Sequence, residues 1–235
     1  MTDLNALPII TMHNVDFSWK PEIPPILSIK ELSIKKGEHL FIKGPSGCGK
    51  STLLGLLTGI NQAGSGEITI LGQPLNKLKP SQRDSFRSNH IGYIFQQFNL
   101  LPYLSVIENV VLPCQFSKYR NDKVSGSLHQ MAEQLLLRLH LPADALHKPV
   151  VELSIGQQQR VAAARALIGE PEVIIADEPT SALDHDNRTA FIELLMEQAN
   201  HANSTLIFVS HDPTLEPLFE RSINLEQLNT ADFSS

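Results

Sequence analysis

Gly44 to Thr52 reads "GPSGCGKST", which fits the pattern G-x-x-x-x-G-K-[ST]. The apolar run "EHLFIK" stands directly before it and "KSTLLGLLTG" directly after. A strand, a glycine-rich turn and a helix in that order make a phosphate loop. Gly44, Pro45, Ser46, Gly47, Cys48 and Gly49 would wrap backbone N–H groups round an anion, and the helix start adds partial positive charge. Lys50 is then placed to bridge the β- and γ-phosphates. The Ser51 hydroxyl, followed by Thr52, is placed to ligate Mg²⁺. Cys48 beside Lys50 admits two readings, a thiolate that gates the loop by oxidation or a small side chain that the turn tolerates.

Working outward, strand-like runs occur at "IITMHNVDFSW", "ILSIKELSI", "EHLFIKG", "GEITILG", "IGYIFQ", "EVIIADE" and "TLIFVSH". The last three are apolar on consecutive positions, which suits a sheet covered on both faces. "KSTLLGLLTG" is apolar nearly all round and stops at Gly59, so it predicts a buried helix. Leu128, Met131, Leu135 and Leu139 recur at helical spacing before Pro142, as do Phe191 with Leu195 and Ile192 with Met196. Strands alternating with helices predict an α/β core with a parallel sheet. The short strands of the early part, with "AGSGEITILG" between them, predict an antiparallel β layer. Residues from about 100 to 160 carry helical patterns alone and predict a helical insertion.

Two acids end the strand "VIIADEP". An acid at the carboxyl end of a parallel strand can orient Mg²⁺ beside a phosphate loop, and a second can polarise water. Asp177 is the metal-side candidate and Glu178 the general base. Gln96 follows the strand "IGYIFQ", and its amide oxygen can ligate Mg²⁺ or hold a water. His211 closes the strand "TLIFVS" at a third such end. Val15, Phe17 and Trp19 alternate on one strand face, with Trp19 at the end, where it can stack on a base.

"VELSIGQQQR" combines Ser154 with Gln157 three residues later, before "QQQRVAAARALI". That is a capping box, and capping and phosphate binding both use the N–H groups of a first helical turn. Ile155 stands where a glycine would make phosphate binding easier. If its φ is helical, isoleucine costs nothing there, and if φ is positive, the β-branched residue is strained.

Composition bounds the function. The 235 residues are 42% hydrophobic and 19% charged, with a formal net charge of −6. Those shares describe a globular chain, and no basic run marks a nucleic-acid surface. Two cysteines without CxxC spacing argue against a disulfide framework or a thiolate zinc site. "MTDLNALPII" lacks the basic and then apolar order of a signal peptide, and no run is long enough to span a bilayer. A membrane role would need another chain.

Taken in order, Trp19, Gly44 to Thr52, Gln96, Ser154 to Gln157, Asp177 with Glu178, "SALD" and His211 span nearly the whole sequence. The set resembles the ATP-binding subunit of ABC transporters. The resemblance implies one nucleotide-binding domain with a P-loop NTPase core. Residues from about 1 to 95 and 165 to 235 would form the core with its β layer, and about 96 to 164 the helical subdomain.

By resemblance Trp19 stacks on adenine, Gln96 links Mg²⁺ to the helical subdomain, and His211 senses the γ-phosphate. Ser154, Ile155, Gly156 and Gln157 of one subunit would grip the ATP held by Lys50 of another. Ser181, Ala182, Leu183 and Asp184 would couple the two sites. The implied cofactors are ATP and Mg²⁺. The implied partners are a second copy on ATP binding and an integral membrane permease subunit, with no nucleic acid. The implied location is cytoplasmic, on the inner face of the cell membrane.

Tyr93 to Pro113, "YIFQQFNLLPYLSVIENVVLP", looks most like the macrolide-export and lipoprotein-release branch. Ile155 departs from the family's glycine, so a non-hydrolysing scaffold that dimerises on ATP is an alternative. A soluble ATPase of DNA repair or translation fits less well, because no second nucleotide domain, coiled coil or basic surface is visible.

Overall fold

The computed structural model describes residues 8–181 and 185–231, and of residues 185–187 the backbone alone. In chain order the elements are β1 (Pro8–Phe17), β2 (Leu27–Lys35), β3 (His39–Lys43), α1 (Lys50–Leu57), β4 (Ser65–Ile70), β5 (Gln73–Pro74) and α2 (Pro80–His90). They continue with β6 (Ile91–Ile94), α3 (Val106–Phe116), α4 (Lys118–Asp122), α5 (Leu128–Arg138), α6 (Ile155–Leu167) and β7 (Val173–Asp177). The last are α7 (His185–His201), β8 (Thr205–Ser210), β9 (Arg221–Asn224) and α8 (Leu225–Leu228). The chain divides into two compact units, residues 1–87 with 207–235, and residues 88–206.

In the first unit β2, β1, β4 and β5 form the expected antiparallel sheet, in that order. Ile10 and Met12 of β1 are fully buried, and so is Val15, with Phe17 nearly so. The buried positions change from even to odd because the pairing with β4 shifts between His13 and Asp16. Asn14 takes φ 49° at this bulge, and the extra residue returns Val15 to the core face. Gly66 fits opposite because a Cβ there would lie 2.2 Å from the Asn14 carbonyl oxygen.

β3 runs parallel to β9, with Leu40 opposite Arg221 and Ile42 opposite Ile223. Leu40, Phe41 and Ile42 are all fully buried, as consecutive apolar residues are in a sheet covered on both faces. Phe41 packs on Phe219 (ring centroids 5.1 Å) and Phe208 (6.1 Å). α1 buries Thr52, Leu53, Leu54, Leu56 and Leu57, and Gly59 follows its end at φ 67°, where only glycine is unstrained.

In the second unit β6 and β7 pair in parallel, with Tyr93 opposite Ile175 and Ile94 opposite Ala176. Four helices, α3 to α6, intervene between them in sequence, and α3 packs against α5 and α6. α6 also lies on β6 at Gly92, where a Cβ would meet the Ala166 carbonyl oxygen at 2.2 Å. β8 carries the chain back to the first unit with all six residues buried.

Candidate functional site

In the first unit the phosphate loop joins β3 to α1. Gly47 and Gly49 take φ 85° and 101°, in the left-handed region. A Cβ on Gly44 would sit 2.5 Å from the Cys48 sulfur, so a side chain here would have to displace the buried thiol. Cys48 is buried and Ser51 exposed. Lys50 Nζ lies 2.7 Å from the Gly44 carbonyl oxygen and 2.9 Å from that of Pro45, so its ammonium is folded across the loop. No side chain caps the first turn of α1, which suits an anion there.

Trp19 lies two residues past the end of β1 and is 65% exposed. Its ring meets Phe17 edge-on at 5.0 Å, so a buried partner holds an indole that stays open to a flat ligand. His211 follows β8 directly and is exposed. The turn after it is capped by Asp212, which accepts from Thr214 N at 3.0 Å. Glu216 of that turn accepts from Lys43 Nζ at 2.7 and 2.9 Å. The segment behind His211 is thereby tied to the last residue of β3, next to Gly44.

In the second unit the β6–β7 register does most of the work. Continued two residues past Ile94 and Ala176, it sets Gln96 opposite Glu178, and Gln96 Nε2 donates to Glu178 Oε2 at 3.3 Å. Tyr93 Oη donates to Asp177 Oδ2 at 3.2 Å. Burial first, and then the Asp177 carboxylate, push the Tyr93 phenol well above its ordinary pKa, so it remains a donor.

Glu178 takes φ 46° immediately before Pro179. A residue before proline prefers extended backbone, so this conformation costs on the order of 1–3 kcal/mol and must be held by its surroundings. Gln159 Nε2 donates to the Pro179 carbonyl at 2.8 Å, and Ser181 N to the Glu178 carbonyl at 3.2 Å.

The signature stretch opens α6. Ser154 is the N-cap; its hydroxyl accepts from Gln157 N at 3.3 Å, while the Gln157 side chain accepts from Ser154 N at 2.9 Å. The expected capping box is present, and the Ser154 hydroxyl hydrogen is left to donate elsewhere. Ile155 is the first helical residue and 55% exposed. Of its two possible conformations, the helical one holds, and neither Ile155 nor Gly156 has positive φ. Ser181 is exposed, whereas Ala182, Leu183 and Asp184 lie outside the described residues.

Residues 27–181 match the family model described as "ABC transporter". The chain belongs to the ABC transporter family. An ABC transporter ATP-binding protein of Escherichia coli (strain K12), YbbA, is 40% identical over 203 residues, 85% of this chain and 86% of that protein. The lipoprotein-releasing system ATP-binding protein LolD of Psychrobacter arcticus is 38% identical over 200 residues, 85% of this chain and 87% of LolD. The dimeric structure of a post-hydrolysis state of the ATP-binding cassette MJ0796 of Methanocaldococcus jannaschii, bound to ADP and Pi, superposes with TM-score 0.79 at 35% identity. It covers 95% of this chain and 97% of that one. As an ABC ATP-binding domain the chain has the α/β architecture expected from its sequence, with parallel strands, an antiparallel sheet and helices.

α6 also carries functional candidates with no motif to mark them. Gln159 is 1% exposed, and Arg165 is 9% exposed. Arg165 donates to the carbonyls of Asn99 (Nη1, 2.7 Å) and Phe98. Asn109 of α3 is fully buried; it accepts from Leu101 N at 2.8 Å and donates to Ser105 O at 3.0 Å, which fixes the far side of the same loop. For Arg165 and Asn109 the readable signal was a polar residue among apolar neighbours, because buried polar groups need partners; Gln159, one of four consecutive polar residues, gave none.

Proposed function

We propose that this chain is the ATP-hydrolysing subunit of an ABC transporter, working as a homodimer on a separate integral membrane subunit. The observation that carries the reading is the pairing of Gln96 with Glu178 across β6 and β7 at 3.3 Å. It holds an amide and a carboxylate together at the carboxyl ends of parallel strands, where water activation beside a bound nucleotide needs them.

In this reading Lys50 and the phosphate-loop N–H groups bind the ATP phosphates and Trp19 stacks on adenine. Ser51, Asp177 and Gln96 supply oxygen donors for Mg²⁺, a hard cation that takes few protein ligands and completes its shell with phosphate and water. Glu178 polarises the attacking water and His211 contacts the γ-phosphate. Ser154 to Gln157 grip the ATP of a second copy, and Ser181 to Asp184 couple the two sites. Residues from about 96 to 164 serve as the helical subdomain.

The likeness to LolD supports export, lipoprotein release or mechanical transmission as the work done, from the cytoplasmic face of the membrane. No helix among the described residues is long and apolar enough to cross a bilayer. In this reading a separate membrane subunit carries that step. A helical Ile155 supports the hydrolytic reading over a non-hydrolysing scaffold that dimerises on ATP.

The test is ATPase assay of the chain together with the membrane protein that co-purifies with it from detergent extracts. Phosphate release that disappears in Lys50→Ala supports the reading, and an inactive unmodified complex sinks it. A partner with four transmembrane helices per subunit and a large periplasmic domain supports the branch, and a many-helix importer refutes it.

A further inference from the structure

α6 begins at Ile155, behind the Ser154 cap, and carries two buried polar side chains that leave it in different directions. Gln159 and Arg165 are six residues apart, so they sit about 120° apart round the helix and about 9 Å apart along it. Gln159 reaches the Pro179 carbonyl, one residue past Glu178. Arg165 reaches the carbonyls of Phe98 and Asn99, two and three residues past Gln96.

Both targets are strained. Phe98 and Asn99 take φ 59° and 49° in succession, and Glu178 takes φ 46° before a proline. Left-handed conformations of this kind persist only where neighbours over-determine them. Among the described residues no acid is hydrogen-bonded to Arg165. Its guanidinium is spent on two backbone carbonyls, and burial lowers its pKa. A buried cation that gives its donors to one loop, and a buried amide that gives its donor to one turn, are costly unless those loops must be held.

We infer that Gln159 and Arg165 are positioning residues that fasten the Glu178 turn and the Gln96 loop to the helix that Ser154 caps. Gln159 holds Glu178 in its left-handed backbone, and Arg165 holds the loop that aims Gln96. The general base and the amide beside it thereby share one rigid support with the signature stretch, so a pull on Ser154 is felt at both. Neither side chain touches ATP.

The inference rests on the hydrolytic reading above, and the experiment separates the two. Unmodified full-length protein, Gln159→Leu, Arg165→Met and Arg165→Lys are compared with the co-purified membrane subunit by steady-state ATPase kinetics, ATP binding and amide hydrogen exchange. In Gln159→Leu and Arg165→Met kcat falls about 10-fold or more, as misplacement of catalytic groups by under an ångström would cause. ATP affinity stays within about twofold, because the phosphate loop is untouched. Arg165→Lys, which keeps a cationic donor group without the fork of the guanidinium, regains part of kcat.

Exchange rises at residues 178–181 in Gln159→Leu and at residues 96–101 in Arg165→Met, each without the other. Unchanged exchange in both segments overturns the inference whatever the turnover. So does faster exchange along the whole of α6 with a lowered melting temperature, which would make these residues ordinary helix packing. If the unmodified complex hydrolyses no ATP, the hydrolytic reading fails, while the segment-specific exchange still decides the positioning.

Discussion

Arg120 Nε donates to the carbonyl oxygen of Ile168 at 2.9 Å, closing the C-terminal end of α6 with a charge from α4. The same guanidinium reaches the Ala166 carbonyl at 2.8 Å. The last carbonyls of a helix lack intrahelical partners and carry partial negative charge, so a buried cation there satisfies both needs. Arg120 is 2% exposed, and burial lowers its pKa to about 10, which leaves it charged at neutral pH. The chain turns at Gly169, where a Cβ would meet Arg120 Cβ at 2.7 Å. Arg120→Met should therefore cost about 2–4 kcal/mol, because it strands buried carbonyls. Urea unfolding measures this, and an unchanged midpoint would mean that water replaces the guanidinium without loss.

Glu172, just before β7, gathers several cations and donors. His90 Nδ1 lies 2.9 Å from one carboxylate oxygen, while Lys123 Nζ at 2.8 Å and the Tyr119 hydroxyl meet the other. Burial alone would raise its pKa, but hydrogen bonds from His90, Lys123 and Tyr119 outweigh that and lower it from 4.5 to about 2. A depressed folded-state pKa contributes stability that is present above the unfolded value and lost as pH falls through the folded one. Unfolding free energy should decline between pH 4.5 and about 2. Glu172→Gln should lower stability at neutral pH and flatten that decline. Denaturant titrations at several pH values decide it, and parallel curves for the two proteins would show that Glu172 is not the group responsible.

The strands that frame the site were legible because β-branched and aromatic runs bounded by turn residues state themselves locally. The phosphate loop and the capping box were equally local. α2 escaped because "PSQRDSFRSNH" has no apolar period and no fully buried residue, so nothing distinguishes it from a polar loop. α3 carries a second capping box, Ser105 with Glu108, a local signal that the sequence analysis did not use. The bulge at Asn14 and the left-handed Glu178 were not legible, since each is imposed by a neighbour distant in sequence: β4 in one case, Gln159 in the other. Gln96 could be proposed alone, but its pairing with Glu178 depends on the register of two strands whose positions lie 82 residues apart.

Ile155 and Ser154 are adjacent but unequal. Ile155 begins α6 with its side chain largely in solvent, so glycine there would remove little packing and cost the helix up to about 1 kcal/mol. Ile155→Gly should change ATPase rate only modestly. Ser154 is the N-cap, and its hydroxyl is the group aimed toward a second nucleotide in the proposed dimer. Ser154→Arg should abolish turnover, because a long cation replaces both the cap and the donor. Steady-state kinetics compare the two, and a large gain on restoring glycine would show that isoleucine strains the grip.

Glu178→Gln separates hydrolysis from binding. Glutamine keeps the size of the side chain and can still hydrogen-bond Gln96, and Gln159 still holds the turn through the Pro179 carbonyl. Only the negative charge that the proposed water activation requires is lost. Turnover should fall about 100-fold or more, the usual contribution of a positioned general base, with ATP affinity kept. The bound nucleotide then persists, and light scattering with ATP should find long-lived dimers in Glu178→Gln that the unmodified protein forms only transiently. If the unmodified protein forms equally stable dimers with ATP, it is not hydrolysing its way out of them, and the scaffold reading replaces the hydrolytic one.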